Sequence, residues 1–560
     1  MKAKLFFLCI LVSALAKAQA PAWDWANGAG GGNGQHYGNS VSADANGNSY
    51  ITGYFQVPFI VFENDTLTGS TNYHDNLFVV KYDNAGNVVW ARSAGDQNNC
   101  HGNAICTDAS GSCYVTGYFQ GSGTITFGSF TLVSPNGNNG IFVVKYDAAG
   151  NVVWAKTQTG GGFSSAGNGI STDENEDVYV TGDYDGQDPI TFGSTTLPAI
   201  GSSSNVFIVK YDSLGNEQWA KNAGGPSQQH GTGIKVDPNG NSYVTGYFNS
   251  TSMTFSNVTI SNASNGWIVY VAKYDNAGNV IWAKDEGGVA SLYNPKISID
   301  AGGNSYITGY FNGSSAVFGS TTLSNAGGDD IFVVKYDNLG NVVWAKRVGG
   351  IDFDDGHDIS TDAQGNSYIT GFFKSSITFP TPGFTTFTSA GVTDVFVAKY
   401  DSSGNAIWAK NVTNGVYPDM GNGISIANGN VYVTGHFFSP VLGFGNNTVN
   451  NADNSGNYAN VFVAKIDSSL ISGINESAEL LNQFELYPNP SGGIFILENN
   501  SETINGQLEI YNSLGEKIYS KAIDQNQSVR IDISSEANGI YFLHLHTAKG
   551  MITKKIIIAN

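Results

Sequence analysis

Two runs decide the fold: Asp300-Ala301-Gly302-Gly303-Asn304-Ser305-Tyr306-Ile307-Thr308-Gly309-Tyr310-Phe311 and, beyond a Gly/Ser/Thr-rich stretch, Ile331-Phe332-Val333-Val334-Lys335-Tyr336-Asp337-Asn338-Leu339-Gly340-Asn341-Val342-Val343-Trp344-Ala345-Lys346. Alternation of apolar and polar residues, with Val, Ile, Tyr and Phe enriched, marks strands. The D-x-x-G-N segments mark tight turns: Asp bonds the turn backbone and Gly takes the left-handed position, which makes hairpins. The same pair of runs returns along the chain. The tryptophan of W-A-K stands at Trp25, Trp90, Trp154, Trp219, Trp282, Trp344 and Trp408, 62 to 65 residues apart. Self-similarity at a near-constant period signals a repeat architecture.

Each unit reads as four strands. The first is short, as in Asn103–Thr107 or Asp358–Thr361. The others are S-Y-I-T-G-Y-F, I-F-V-V-K-Y-D and N-V-V-W-A-K. Four-stranded antiparallel units repeated about an axis are β-propeller blades. The T-G-Y-F strand and its variants, T-G-D-Y at 181, T-G-F-F at 370 and T-G-H-F at 434, occur seven times. The last K-Y-D strand ends at Lys465-Ile466-Asp467 with no W-A-K after it, and the missing strand sits at the other end as Trp23-Asp24-Trp25-Ala26-Asn27. The expected fold class is therefore all-β: a seven-bladed β-propeller over 21–467, closed by an N-terminal strand that leaves no exposed edge. The recurring Gly is expected to make room for an aromatic of the adjacent blade, and the recurring Trp to fill space between twisted sheets.

The first residues read differently. Lys2 and Lys4 precede the apolar run Leu5–Leu15 and the small-residue stretch Ala16–Ala20, the pattern of a secretory signal peptide over 1–20. Cleavage is expected after Ala18 or Ala20, with Pro21 disfavouring the latter. No later apolar run reaches the ~20 residues of a spanning helix. Cys106 and Cys113 flank a hairpin turning at Asp108–Ser112, and the reading sets them diagonally on one face. A local bridge with Cys100 left over, or three free thiols, are both open. The formal net charge of −20 excludes nucleic acid, whose binding rests on Lys and Arg, and disfavours anionic membrane surfaces.

The repeat resembles the SBBP β-propeller repeat of exported bacterial proteins, through units such as Gly365-Asn366-Ser367-Tyr368-Ile369-Thr370-Gly371 followed by Asp394-Val395-Phe396-Val397-Ala398-Lys399-Tyr400-Asp401. The resemblance covers about 23–467 and implies a fold rather than an activity. The chain from Phe484 has no repeat. It carries Leu486-Tyr487-Pro488-Asn489-Pro490-Ser491-Gly492-Gly493, Leu508-Glu509-Ile510-Tyr511-Asn512-Ser513-Leu514-Gly515 and Asn538-Gly539-Ile540-Tyr541-Phe542-Leu543. These motifs resemble the type A C-terminal sorting domain of Bacteroidetes type IX secretion substrates. That resemblance implies a small Ig-like β-sandwich over 484–560 after a linker at 468–483, and the type IX machinery as partner of 484–560. It also implies passage across the outer membrane to the cell surface or the medium, by attachment or release.

Antiparallel order places the long loops and the inter-unit loops on one rim, and function on rigid frames gathers at such variable loops. At the mouth of the innermost strands the aligned position is Tyr37, His101, Ala166, His230, Tyr293, Asp355 and Met420. Asp352, Asp354, Asp355 and His357 place acids and an imidazole in one loop. Tyr37, His101, His230, Tyr293, Asp355 and His357 are the candidate ligand-binding residues, for an extracellular glycan or protein. No metal site, catalytic residue or cofactor is expected: no close zinc-ligand spacing, calcium loop or activated nucleophile stands out. The reading is an exported binding or adhesion propeller. Its alternatives are a secreted glycan hydrolase or lyase with a site in the channel mouth, and a passive surface component.

Overall fold

Strands make up nearly all of the regular structure, with one 3-10 turn at Pro135–Gly137. The computed structural model describes residues 20–467 and 484–559, apart from 32, 57, 70–73, 96–97, 122, 202, 265, 382–383, 452, 454, 500–503, 513–516, 527 and 548–549. The expected signal peptide, Ala20 excepted, and the expected linker at 468–483 lie outside the described residues. The described residues divide into two units, one within 20–467 and the other within 484–559. No described helix is long and apolar enough to cross a membrane.

In the first unit each sheet runs outward in chain order. His36–Ala43, Ser49–Gln56, Asp75–Tyr82 and Val88–Ala94 pair antiparallel in succession. Sheets of the same order begin at Cys100, Ala166, Gln229, Ser291 and Asp354. The sheet beginning with Asp419–Ala427 continues through Asn430–Phe437 and Asn460–Ile466, and takes its fourth strand from Trp23–Gly30. There Trp25 lies opposite Lys465 and Gly28 opposite Phe462. Each sheet is open, and none closes on itself among the described residues.

The residues that recur are spent on holding neighbouring units together. Asp83 Oδ1 accepts the N–H groups of Ala85 and Asn87, both at 2.9 Å, and Gly86 has φ +90°. On that turn lies the indole of the preceding fourth strand: Trp25 Nε1 donates to Asn84 O at 3.1 Å. Trp90 bonds Ala148 O in the same way, and Trp344 bonds Ser402 O. The tryptophan thus carries a directed bond as well as filling space. The lysine of K-Y-D lies over the tyrosine of the second strand, with Lys81 Nζ 5.0 Å from the Tyr50 ring centre and Lys399 Nζ 4.9 Å from that of Tyr368.

Three sequence expectations need correction. The connection between second and third strands holds a further hairpin, as in Ser252–Phe255 with Val258–Ser261. Phe255 pairs with Ala223 of the preceding sheet, and Met253, Phe255 and Ile260 are buried. These strands are only four residues long and diluted by Ser and Thr, so their alternation is faint. The glycine of T-G-Y-F makes room for backbone first: a Cβ on Gly117 would overlap the carbonyl oxygen of His101 in the same sheet, and then crowd the ring of Phe142. Finally, Cys106 lies opposite Tyr114 and Cys113 opposite Thr107, which puts the two cysteines on opposite faces of the sheet. Cys100, Cys106 and Cys113 are all free and buried.

The second unit has two sheets, one of Phe484–Tyr487, Ile494–Asn499 and Ser528–Asp532, the other of Lys517–Asn526, Ile504–Asn512, Gly539–Thr547 and Gly550–Ile558. Side chains of both, among them Phe495, Leu497, Leu508, Ile510, Val529, Leu543 and Ile556, form one buried cluster. The Y-P-N-P motif anchors the last strand: Asn489 Oδ1 accepts from Ile557 N at 2.9 Å, and its Nδ2 donates to Lys555 O at 2.6 Å.

Candidate functional site

Every innermost strand carries a β-bulge at the same height. The register slips at Asn39, Asn103, Asn168, Thr232, His357 and Asn422, and over Asn294-Pro295 in the strand Ser291–Ile299. A bulged residue has no partner in its own ladder, so its side chain is free to turn elsewhere. Here it turns to the next unit. Asn39 Nδ2 donates to Gly102 O at 2.9 Å, Asn103 Nδ2 to Gly167 O at 3.0 Å and Asn168 Nδ2 to Gly231 O at 3.1 Å. Thr232 Oγ1 donates to Pro295 O, and Asn422 Nδ2 donates to Gly38 O at 2.9 Å, joining the last innermost strand to the first.

Above these bulges opens a cavity of about 520 Å³, whose walls include Tyr37, Tyr54, His101, Asp183, His230 and His436. Its aromatic walls form two arcs. In the first, the rings of Tyr37 and His436 lie 4.2 Å apart, Tyr37 and Tyr54 5.0 Å, and Tyr54 and His101 3.9 Å. In the second, His230 stacks on Tyr247 at 4.8 Å; Trp267 stands outside the lining, 5.1 Å from Tyr247 and 6.3 Å from Tyr293. Asn39, Asn103, Asn168 and Asn422 also line the cavity. Asn39 and Asn168 have each spent one amide N–H on a neighbouring carbonyl and keep the second, whereas Asn103 Nδ2 also reaches Asn168 Oδ1 at 3.4 Å and Asn422 Nδ2 also bonds His436 Nδ1 at 3.0 Å.

The charges are paired unevenly. Asp183 Oδ2 lies 2.8 Å from His230 Nδ1, and its Oδ1 accepts from Gly231 N at 2.7 Å. Burial works against a charge on His230, but the bond and charge of Asp183 outweigh it and hold the imidazole above its usual pKa. His101 Nε2 lies 2.7 Å from Asp75 Oδ2. Burial pushes His357 down to about 4, and burial together with the neighbouring His357 pushes His436 down to about 3. Both are neutral rings near pH 7.

Of the predicted residues, Tyr37, His101, His230 and His357 line one cavity. Tyr293 stands beside it, stacked on Tyr310 at 5.5 Å. Asp355 lies behind His357, 4.0 Å from its Nε2. The acids expected in one loop are instead dispersed, because Asp354–Thr361 is a strand and its pleat alternates their directions. Asp354 is fully buried and accepts from Gly350 N, while Asp352 bonds Ser375 Oγ. Sequence reasoning missed Tyr54, Asp183, Tyr247 and His436, which face the mouth positions from the second strand. It also missed the asparagines of the bulges. Both had a signal: Asp183 and His436 are departures from T-G-Y-F, and the bulged residues follow a recurring Gly.

Asp355 supplies a pH test. Burial first, then the charges of Asp329 and Asp354, push its carboxyl up to about 8. The unfolded value is about 4, so the protonated form favours the fold. Its contribution is full below pH ~4 and is lost as pH rises through about 8. Between pH 6.5 and 8.5 the loss is on the order of 2 kcal/mol, and His357 and His436 are already neutral there. Chemical denaturation at both pH values should show the wild type losing more stability than Asp355→Asn; equal losses would refute the assignment.

A family model of the secretion system C-terminal sorting domain matches residues 485–559, and a model of the beta-propeller repeat matches residues 218–252. The chain thus carries SBBP-type β-propeller repeats and a type IX sorting domain, and it is exported to the cell surface or the medium. An uncharacterized WD repeat-containing protein of Acanthamoeba polyphaga mimivirus is 25% identical over 501 residues, 73% of this chain; the chain spans 36% of that relative's length. Among solved structures, a protein of unknown function from Dyadobacter fermentans aligns with a TM-score of 0.32 and 8% identity, over 80% of this chain and 99% of the other. The apo prolyl oligopeptidase B of Galerina marginata aligns with a TM-score of 0.35 and 10% identity, over 84% and 57%.

Proposed function

We propose that this exported β-propeller binds a saccharide outside the cell, in the aromatic-walled cavity above the bulges of its innermost strands. The observation that carries the reading is the wall itself: two aromatic arcs over four asparagines, of which Asn39 and Asn168 keep an unspent N–H. Tyr, Trp and His rings accept the C–H faces of sugars, and amides pair their hydroxyls, in a concave site of ordinary ligand size.

The frame we propose is seven-bladed and closed by the N-terminal strand. Support comes from the pairing of Trp23–Gly30 with Asn460–Ile466, from the bond of Asn422 to Gly38, and from a narrow space of about 90 Å³ bordered by all seven innermost strands. The shared apolar cluster of the second unit supports a small β-sandwich that the type IX machinery reads.

Glycosidase chemistry is less well supported. It uses two carboxyl groups across the scissile bond. Among the described residues lining the cavity the one acid is Asp183, already held by His230 and Gly231. Screening the purified protein on a glycan array tests the proposal. A saccharide hit should weaken about tenfold or more in Tyr54→Ala and in Tyr247→Ala, each removing a stacking face worth about 1–2 kcal/mol. Unaltered binding in both variants, or no hit from the folded protein, refutes it.

A further inference from the structure

The cavity has at its floor a cation that makes no ion pair among the described residues, and we propose that the saccharide bound there is acidic, its carboxylate or sulfate group seated on Lys296. This inference rests on the saccharide reading above and adds the charge of the ligand.

The placement of Lys296 is the first argument. In the register of the innermost strands it faces Thr308 of the second strand. The positions facing the equivalent threonines are Ser40, Ala104, Gly169, Gly233, Asp358 and Gly423. Five of these six are small, so one long basic side chain occupies a ring whose other members leave it room. Lys296 borders both the cavity and the narrow space next to it.

The pairing of charges is the second. Lys296 Nζ donates to Thr232 O at 2.9 Å and, among the described residues, makes no ion pair. Of an ammonium's three N–H groups, two are then unspent. Asp358 is the nearest acid in the ring, and its oxygens accept the N–H groups of Ile359 and Ile424, each at 2.9 Å. Asp183 is held by His230 and Gly231. Lys235 adds a second cation in the narrow space. Burial lowers the pKa of Lys296, and the charges of Asp358 and Asp183 offset this only in part. In a chain of formal net charge −20, the site sets Lys296 and Lys235 against Asp358 and Asp183 and is formally balanced rather than acidic.

The remaining donors suit the same group. Asn39 and Asn168 border the floor, each with one amide N–H to give. A carboxylate or sulfate can accept from the ammonium and from amides at once, and charge-assisted bonds of this kind are about twice as strong as neutral ones. The aromatic arcs above would hold the sugar ring that carries the group.

The test uses the full chain and matched probes: polygalacturonate, alginate and chondroitin sulfate, each beside its methyl-esterified or desulfated form. Isothermal titration should show at least one acidic probe binding tenfold or more tightly than its neutral counterpart, with the preference falling as NaCl is raised. Lys296→Met should erase that preference and leave the melting temperature within a few degrees of wild type; Lys296→Arg should restore it. Equal or tighter binding of the neutral forms overturns the inference, as does a preference that survives Lys296→Met. Binding of neutral array saccharides without any acidic probe refutes the charge inference alone. Absence of all saccharide binding refutes the underlying reading, and this one with it.

Discussion

A chain lacking residues 20–30 should lose roughly 5 kcal/mol or more of stability in its repeat unit and expose an aggregation-prone edge. Removal strips Asn460–Ile466 of its outer partner, and with it the pairs from Trp23↔Ile466 to Ala29↔Val461. Trp23 is 8% exposed and meets the Phe444 ring edge-on at 5.0 Å; losing a buried Trp side chain alone costs about 3–5 kcal/mol. The Trp25 bond to Asn84 O goes too, as does the pairing of Ala29 with Phe62 of the first hairpin. Calorimetry of the truncated chain should find a broadened, lowered transition, and a synthetic 20–32 peptide added in trans should raise it again. A truncated chain that melts like the wild type would refute closure by this strand.

The second large effect is at glycine. Gly246→Ala should cost about 2–3 kcal/mol and abolish saccharide binding, because a Cβ there would overlap the carbonyl oxygen of His230 and crowd the Tyr270 ring. Backbone cannot rotate away as a side chain can, so His230 and the bulge beside it must move. Gly302→Ala, on the exposed turn before Asn304, meets nothing nearer than 3.2 Å and should be close to neutral in both measurements. If Gly246→Ala kept full binding and stability, the cavity wall would not depend on this close approach.

Much of the frame is legible in the chain because its causes are local. A turn such as Asp83–Asn87 closes on its own side chains, and alternation in Ile331–Tyr336 shows directly as a strand buried on both faces. The candidate site is legible only in part. Tyr37, His101 and His230 stand out as departures at an aligned position, yet Tyr54 and Tyr247, which face Tyr37 and His230, look like ordinary members of a repeated strand. Cys106 shows the limit most plainly: counting along a hairpin put it on the face of Cys113, and the actual register puts it on the other.

The sequence by itself determined the period, the four long strands of each unit, the tight Asp-Gly turns, the stray strand at Trp23–Asn27 and the export tail. Each of these is written within a few neighbouring residues, or in the bare repetition of a pattern. Only the tertiary structure decided the bulge that turns Asn39 and its counterparts toward the next unit, the hairpin that reaches back to the preceding sheet, and the solitary place of Lys296 in its ring. Those depend on which residues face each other at separations from 12 positions, Lys296 and Thr308, to 384, Asn422 and Gly38, and a one-residue slip in register reverses every side chain without altering the pattern that announces the strand.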